Sequence, residues 1–301
     1  MPEVTAVCLS TTIQRTLTFS EVKIDHVNRS QHYVANASGK AVNTARVLNQ
    51  LEKDFCQVVC PIGVNNKELF FQLKEKEPYK IITVEIPGNT RECWTLLDRK
   101  NSTTTEVIAG EPAIQADMSE YTLQLMQKIE ESLEQTNALL LAGSRPEIWP
   151  KDLAARICAL ASKMGKTVMC DFWGDDLTET LQLCTPEIVK INEEEFCRTF
   201  GYAFPQPEEE LAQLIAQQSL KFGNIFVITR GKDTTFAADN GKIYKAAIMQ
   251  VKPVNTTGCG DSFSAGFLYS YMKDKNMEKA LQQGTECAAK NAENELPGSI
   301  C

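Results

Sequence analysis

Apolar residues after position 118 follow two alternating patterns along the chain. Helical spacing, with apolar residues three or four apart, marks residues 118–135 and 150–163. Short apolar runs follow at residues 138–142, 167–171, 188–192 and 225–229. Continuous apolar strands that alternate with helices are typical of a parallel sheet covered on both faces. The pattern therefore predicts an α/β fold with a mostly parallel central sheet.

The N-terminal third of the chain contains more predicted strands than helices. Apolar runs predict strands at residues 4–9, 55–60 and 81–86. Residues 16–36 alternate loosely between apolar and polar positions, which predicts exposed strands that are half-buried at most. Two further runs, 90–98 and 103–108, flank a polar turn and predict a β-hairpin. We expect the hairpin and the exposed strands to form a small sheet beside the main body.

Polar side chains end several of the predicted parallel strands. They are Ser144, Asp171, Lys190 with Asn192, and Thr229 with Gly231. Each one alone is an ordinary strand-end residue. Ligands of parallel sheets bind beyond the carboxyl ends of the strands, so together these residues predict one shared crevice.

Composition mainly excludes classes of function. The 301 residues carry a formal net charge of -8, which argues against non-specific nucleic-acid binding. No apolar run approaches the roughly 20 residues of a membrane-spanning helix. The first residues lack the basic segment of a signal peptide. We therefore expect a protein with no nucleic-acid and no membrane partner.

Cysteine and histidine counts restrict the chemistry further. The eleven cysteines are scattered without paired metal-ligand spacing, which indicates reduced thiols and a cytoplasmic location. Only two histidines, His26 and His32, are present, so a histidine-based triad or histidine-rich metal site is improbable. No repeat or linker divides the chain, which predicts one domain over residues 1–301.

Residues 255–266 contain the most informative motif. Gly258 and Gly260 bracket Cys259, and helical spacing begins at Asp261. Backbone N–H groups at a helix N-terminus attract an anion, and a carboxylate there could accept a proton from a hydroxyl. The alternative is an ordinary loop in which Asp261 only stabilises the helix.

A second glycine-containing turn precedes a predicted helix at residues 38–51. Lys40 and Asn43 lie on its first turn, directly after Gly39. The alternative is a plain helix start with a solvated lysine.

Phosphoryl transfer would make use of both turns. It requires donors around the moving phosphate, a metal ion on the nucleotide and a carboxylate that accepts the proton of the hydroxyl. Residues 192–195, Asn-Glu-Glu-Glu, are either routine compensation of a helix dipole or a water-mediated magnesium site. A Gly-x-x-x-x-Gly-Lys-Ser/Thr motif is absent, which excludes a Walker-type loop.

These motifs resemble those of the PfkB (ribokinase-like) carbohydrate kinases. Residues 257–261, Thr-Gly-Cys-Gly-Asp, are similar to the Gly-Ala-Gly-Asp motif of the family, and residues 38–43 to its sugar-binding motif. Residues 27–29 and 90–93 resemble the 1-phosphofructokinase and tagatose-6-phosphate kinase branch. Further matches follow in family order at residues 143–146, 190–195 and 229–231.

The resemblance implies a fold and an assembly. The fold would be a ribokinase-like three-layer α/β sandwich with a mostly parallel central sheet and a small β-sheet lid. The lid would comprise about residues 12–36 and 88–109. In this family the lid often pairs between subunits, so the resemblance also implies a homodimer.

The resemblance further implies roles for individual residues, ATP and Mg²⁺ as cofactors, and a sugar or sugar phosphate as substrate. Asp261 would be the general base, and Gly258, Cys259 and Gly260 would form the anion hole. The sugar and its phosphate would be held by Gln14, Arg29, Gly39, Lys40, Asn43, Arg91 and Ser144. The ATP site would contain Lys190, Asn192, Thr229, Gly231 and Asn291, and Glu195 would act on magnesium through water. Two arginines suit a phosphorylated substrate because guanidinium groups bind phosphate oxygens in pairs.

Three positions in the predicted sugar-binding half depart from the family pattern. Gln14 stands where the branch has an aspartate that bonds sugar hydroxyls, and Ser38 and Ala41 replace glycines. The resemblance as a whole implies an ATP-dependent kinase for a phosphorylated ketose such as fructose 1-phosphate or tagatose 6-phosphate. Two alternatives stay open. One is a kinase for an unphosphorylated sugar, polyol or nucleoside, and the other is a catalytically reduced sugar-phosphate-binding or regulatory protein.

Overall fold

The computed structural model describes residues 1–30, 32–109 and 116–301. The strands are β1 (Val4–Val7), β2 (Thr12–Phe19), β3 (His32–Ser38), β4 (Cys56–Gly63), β5 (Lys80–Ile86), β6 (Arg91–Asp98), β7 (Thr103–Ile108), β8 (Ala138–Ala142), β9 (Thr167–Asp171), β10 (Ile188–Asn192), β11 (Ile225–Arg230), β12 (Asp233–Asp239) and β13 (Lys242–Ala246). The helices are α1 (Lys40–Leu51), α2 (Lys67–Lys74), α3 (Ser119–Leu133), α4 (Leu153–Lys163), α5 (Asp175–Leu183), α6 (Glu193–Phe200), α7 (Glu208–Phe222), α8 (Cys259–Asp274) and α9 (Met277–Ala292), with a short 3₁₀ turn at Val64–Asn66.

The large sheet contains the strand order β13-β12-β11-β10-β9-β8-β1-β4-β5. Its strands are parallel from β11 to β5, and β12 and β13 add an antiparallel edge. This confirms the prediction of a mostly parallel central sheet. The antiparallel edge had no counterpart in the predicted pattern.

Helices cover both faces of the large sheet, each over its own apolar core. Helices α1, α2, α8 and α9 contribute to one core, and α3 to α7 contribute to the other. Strands such as β8 are buried at every position because both faces pack against helices. The predicted three-layer sandwich is thereby confirmed.

A second sheet has the order β3-β2-β6-β7 and corresponds to the expected lid. Its central pair, β2 and β6, is parallel, whereas β3 and β7 pair antiparallel on the outside. The part of β2 within the predicted range is more buried than expected, since Thr16 and Phe19 are 2% and 7% exposed. The half-buried assignment was therefore wrong for this strand.

The prediction of strands throughout residues 16–36 was also wrong for residues 20–30. Strand β2 ends at Phe19, and residues 20–30 are irregular. A side chain bonds the backbone groups that a neighbouring strand would otherwise pair with. Asn28 accepts a hydrogen bond from Lys23 N and donates one to Lys23 O. Gln31, which belonged to the predicted strands, lies outside the described residues.

No helix within the described ranges is both long enough and apolar enough to cross a membrane.

Candidate active site

The glycine turn before α8 is held in one conformation by close packing. Gly258 caps α8 with φ +80°, a left-handed conformation that L side chains disfavour. A Cβ atom at this position would lie 2.4 Å from the backbone N of Gly298. Cys259 N donates to Thr256 O at 3.3 Å and tightens the turn. The first turn of α8 therefore starts at a fixed place, with its N–H groups directed toward the helix N-terminus.

Asp261 lies in this first turn and is 7% exposed. Its Oδ2 accepts a hydrogen bond of 2.9 Å from Asn43 Nδ2. Asn43 is oriented in turn by Ser38 Oγ, which donates to its Oδ1 at 2.9 Å. Burial raises the pKa of Asp261 to about 6, although Lys40 and Asn43 favour the charged form. A carboxylate with this pKa is ionised at pH 7 and can accept a proton.

Two lysines and a second carboxylate surround Asp261. Asp171, at the end of β9, has Lys40 Nζ 3.3 Å from its Oδ1 and Lys190 Nζ 3.1 Å from its Oδ2. Lys190 Nζ also lies 3.2 Å from Gly260 O. Burial alone would raise the pKa of Asp171, but Lys190 and Lys40 outweigh it and lower the pKa to about 2. Asp171 raises the pKa of Lys40, which keeps this lysine charged beside the glycine turn.

Glu195 and Asn192 form a capping box at the start of α6. Asn192 Oδ1 accepts from Glu195 N at 2.8 Å, and Glu195 Oε2 accepts from Asn192 N at 2.9 Å. Glu195 Oε1 lies 3.7 Å from Lys40 Nζ. The carboxylate predicted to act on magnesium is therefore oriented by the helix and joined to the Asp171 group through Lys40.

A cavity of about 890 Å³ opens beside the glycine turn. It is lined by five of the predicted residues, which are Asn192, Thr229, Gly231, Cys259 and Gly260. The volume falls in the range of small-molecule and cofactor sites.

The sequence did not identify several other lining residues. The chain segment before the glycine turn contributes residues 248–251, and Phe204 and Pro205 approach from the loop after α6. Helix α9 contributes Thr285, Ala288, Ala289 and Ala292. Steps of three or four positions connect these four small residues, which places them on one helix face. This spacing in the sequence could have indicated a place where a ligand approaches closely.

Asn291 was predicted near the adenine but does not line this cavity. Its side chain is fully buried, and its Nδ2 lies 3.0 Å from Thr257 O and 3.3 Å from Cys259 Sγ. Its Oδ1 accepts from Ser262 Oγ and from Ser299 N. Asn291 therefore connects α9 to both sides of the glycine turn.

Among the predicted sugar-binding residues, Gly39, Lys40 and Asn43 lie together at the start of α1. Gly39 adopts φ +126°, and a Cβ atom there would lie 2.6 Å from Cys8 Sγ, so the residue permits close packing of the turn. Gln14 is buried in the lid and donates to Thr95 Oγ1 at 2.6 Å.

The other three predicted sugar-binding residues have different surroundings. Arg91 Nε donates to Thr12 Oγ1 at 2.9 Å at the base of the lid. Arg29 is exposed in the irregular segment between β2 and β3, and Ser144 is exposed after β8. Neither belongs to the hydrogen-bond network around Asp261.

Arg46 was not identified from the sequence, yet it connects the site to three distant segments. It is almost fully buried and forms an ion pair with Glu77 at 2.6 Å. It donates to Asn43 Oδ1 at 3.1 Å, to Pro297 O at 2.9 Å and to Ala37 O at 2.6 Å. Arg46 therefore fixes the side chain that bonds Asp261.

Comparisons with known proteins identify similar sequences over almost the whole chain. Residues 5–300 match the model of the pfkB family carbohydrate kinases. The chain is 27% identical over 281 residues to tagatose-6-phosphate kinase from Staphylococcus epidermidis, covering 93% of this chain and 89% of that protein.

Solved structures match the fold over almost the whole chain. Phosphofructokinase-2 from Escherichia coli, in complex with substrates and products, matches with a TM-score of 0.85 and 19% identity over 97% of this chain and 94% of its own. Arabidopsis thaliana ribokinase, complexed with ribose and ATP, matches with a TM-score of 0.74 and 18% identity over 99% and 94%. At these identities the structural matches establish the fold.

Proposed function

The chain belongs to the pfkB family of carbohydrate kinases, and we propose that it transfers the γ-phosphoryl group of ATP to a hydroxyl of a phosphorylated ketose. The observation that carries the proposal is the position of Asp261. It is a buried carboxylate at the N-terminus of α8, hydrogen-bonded to Asn43 and adjacent to a nucleotide-sized cavity. Asp261 would act as the general base that accepts the proton of the attacking hydroxyl.

The moving phosphoryl group requires positive electrostatic potential along its path. Lys40 and Lys190 supply two cations, and the first turn of α8, at Gly258, Cys259 and Gly260, supplies N–H groups and the helix dipole. Charge that develops on the phosphoryl oxygens would be stabilised by these groups, which are already in position before reaction.

ATP use follows from membership of a kinase family, and we assign the cavity to the nucleotide. Lys190, Asn192, Thr229 and Gly231 would contact its phosphates, and the small residues of α9 would face the base. Asn291 would act by holding the glycine turn rather than by touching adenine.

Mg²⁺ would be the metal ion that accompanies ATP, held mainly by phosphate oxygens and water. No group of three or more potential metal ligands exists within the described part of the chain, which fits an ion that retains several waters. Glu195 is the nearby oriented carboxylate that would contact it through water.

A phosphorylated ketose of the fructose 1-phosphate or tagatose 6-phosphate type is proposed as the acceptor. Support comes from the similarity to tagatose-6-phosphate kinase and from the arginine at the base of the lid. Arg91 would bind the phosphate of the sugar, with Arg29 approaching from the lid. Gln14, Gly39, Lys40, Asn43 and Ser144 would surround the sugar.

One observation favours an unphosphorylated acceptor as the second candidate. Arg29 is exposed and outside the Asp261 network, and the neutral Gln14 is engaged with Thr95. A free sugar needs no second guanidinium, so it would tolerate this arrangement.

We further propose a homodimer formed through the lid and a cytoplasmic location. Paired strands place Leu17, Tyr33, Trp94, Leu96 and Val107 on one face of the lid, and Tyr33 and Val107 are 52% and 51% exposed. A second copy would cover this apolar face. All eleven cysteines are thiols, which suits a reducing compartment.

The function is tested by ADP release from ATP and Mg²⁺ with a panel of phosphorylated ketoses, free hexoses, pentoses and nucleosides. We expect turnover on a phosphorylated ketose. The variant Asp261→Asn should retain the shape of the site but lose a factor of about 10²–10⁴ in kcat, because it removes the general base.

The matched control is Asp176→Asn, which neutralises a carboxylate that pairs with Arg145 outside the Asp261 network. Turnover on free sugars alone would support the second candidate. Wild-type protein that binds sugar phosphate and releases no ADP with any acceptor would contradict the kinase proposal and favour a binding protein.

A further inference from the structure

Asp171 is a buried charged residue that none of the proposed catalytic roles uses. It is 1% exposed and lies beneath the first turn of α8. Its two carboxylate oxygens accept from Lys40, from Lys190 and from Ser264, whose Oγ is 2.7 Å from Oδ2. Ser264 Oγ also lies 3.0 Å from Gly260 O. One carboxylate thus connects α1, β9, β10 and α8 immediately behind Asp261.

The contacts of Asp171 leave it little capacity for direct chemistry. A carboxylate that accepts from two ammonium groups and one hydroxyl is a poor proton acceptor, in keeping with its pKa of about 2. It also belongs to no group of three or more metal-ligand side chains among the described residues. Its contacts suit the role of a fixed counter-ion.

The two lysines extend from Asp171 in different directions. Lys40 Nζ reaches toward Glu195, 3.7 Å away, and Lys190 Nζ reaches the carbonyl of Gly260. Lysine side chains have large conformational freedom and are positioned only when their ammonium groups are held. A shared anion between them also reduces their mutual repulsion.

We infer that Asp171 is a positioning residue that holds Lys40 and Lys190 on the two sides of the phosphoryl-transfer path, next to Asp261. The inference rests on the proposed kinase function and adds a residue to it. In the absence of Asp171, the lysines would repel each other and lose their fixed places, and the charge around Asp261 would change.

The direction of that change follows from the groups that face Asp261. Lys40 and Asn43 face it from α1, Asp171 from β9 and Lys190 from β10, and Glu195 of α6 acts through Lys40. Asp171 raises the pKa of Asp261, whereas the two lysines lower it. Neutralising Asp171 removes its repulsion and leaves Asp261 as the remaining buried carboxylate toward which the released lysines can turn, so the pKa of Asp261 falls.

The test compares wild type with Asp171→Asn in kcat and in the acid limb of the pH–rate profile. We expect kcat to fall on the order of a hundredfold and the acid limb to move about one pH unit lower. Substrate phosphates also titrate near pH 6. Both proteins use the same substrates, so a difference between the acid limbs of their pH–rate profiles comes from a group of the protein and not from the substrate phosphates.

A second measurement gives the pKa of Asp261 without any turnover. The difference in unfolding free energy between Asp171→Asn and the double variant Asp171→Asn/Asp261→Asn changes with pH through the pKa of Asp261. The same difference between wild type and Asp261→Asn is the reference. We expect the pH midpoint of this free-energy difference to be lower in the Asp171→Asn background. Asp176→Asn serves as the control background, in which the pH midpoint should be unchanged.

Specific results would overturn the inference. A wild-type kcat in Asp171→Asn would do so, as would a loss of kcat with an unmoved pKa of Asp261, which indicates a packing role alone. If Asp171→Asn does not fold, Ser264→Ala removes one donor and retains the charge. It should then lower kcat with an unchanged acid limb, and a wild-type kcat in that variant would reject positioning.

Failure of the kinase proposal is distinguishable from failure of the inference. Absence of wild-type turnover counts against the kinase, whereas the unfolding measurements still decide whether Asp171 sets the charge around Asp261.

Discussion

Asp261 is ionised at neutral pH in surroundings that disfavour a charge. Burial is the largest cause of its raised pKa, and Lys40 only partly offsets it. In an unfolded chain the carboxylate would regain water and a pKa near 4. The residue that would perform the chemistry therefore destabilises the folded state.

We predict that Asp261→Asn is more stable than wild type above pH 6. Below pH 4, Asp261 is protonated in the folded and the unfolded chain, and wild type has its full stability. As pH rises through the folded-state pKa of about 6, the buried carboxylate becomes charged and that stability is lost. The variant should gain about 2–3 kcal/mol at pH 8 and little at pH 4, at about 1.4 kcal/mol for each pKa unit.

Urea unfolding at pH 4, 6 and 8 measures this difference. The control is Asp152→Asn, which changes an exposed carboxylate in a weak ion pair with Arg156. This variant should show no gain in stability that increases with pH. A stability difference independent of pH would contradict the buried-charge explanation.

At the scale of single residues, the sequence predicts functional residues that belong to local motifs and misses those that are joined by tertiary contacts. Asp261, Lys40 and Asn43 were identified because each follows a glycine turn at the start of a helix. Asp171 was only one of several strand-end polar residues, because its three partners lie 19 to 131 positions away. Ser38 was noted as a departure, and its bond to Asn43 depends on the turn geometry.

At the scale of elements, the start of α8 depends on contact between two glycines. Gly258 and Gly298 both have positive φ, and a Cβ atom on Gly298 would lie 2.4 Å from Asn43 Cβ. A side chain at either position would displace Asn43 or the glycine turn.

We predict that Gly298→Ala and Gly258→Ala each lower stability and kcat together. Each should cost about 1–3 kcal/mol more than the control, which is typical of overpacking, and should reduce ADP release at least tenfold. The control is Gly223→Ala, which has φ +68° but nothing within 4 Å of the added atom. Chemical unfolding and the ADP assay check both effects, and equal losses in all three variants would contradict the packing argument.

Element prediction succeeded where periodicity was strong and failed where side chains bonded the backbone. The βα units after residue 118 were found because buried strands and amphipathic helices differ clearly in period. Residues 20–30 alternate like a strand, but Asp98 accepts a hydrogen bond from Val22 N and Asn28 accepts one from Lys23 N. Alternation of apolar and polar residues does not reveal these bonds.

At the scale of the whole molecule, one face of the lid carries several apolar side chains beside the Arg15–Glu92 ion pair. Leu17, Trp94 and Leu96 are partly exposed on that face beside Tyr33 and Val107. The parallel pairing of β2 with β6 creates this face, and no sequence pattern shows which strands pair.

We predict a dimer of twice 33.5 kDa by light scattering at micromolar concentration. Trp94→Glu should give a monomer because a carboxylate would be buried in the interface. Leu123→Glu is the control, since Leu123 is 67% exposed on α3 and lies outside the lid. A monomeric wild type, or equal effects of both variants, would contradict pairing through the lid.

Arg46 has a consequence for the order of events during synthesis. It completes its contacts only when the carbonyls of Pro297 and Gly298 arrive, about 250 positions later in the chain. At roughly 5–20 residues each second, synthesis takes several seconds to pass from the end of β13 at Ala246 to residue 298. Asn43 cannot be locked against Asp261 until residue 298 has left the ribosome. A shorter nascent chain would therefore lack part of the hydrogen bonding that orients Asn43 toward Asp261.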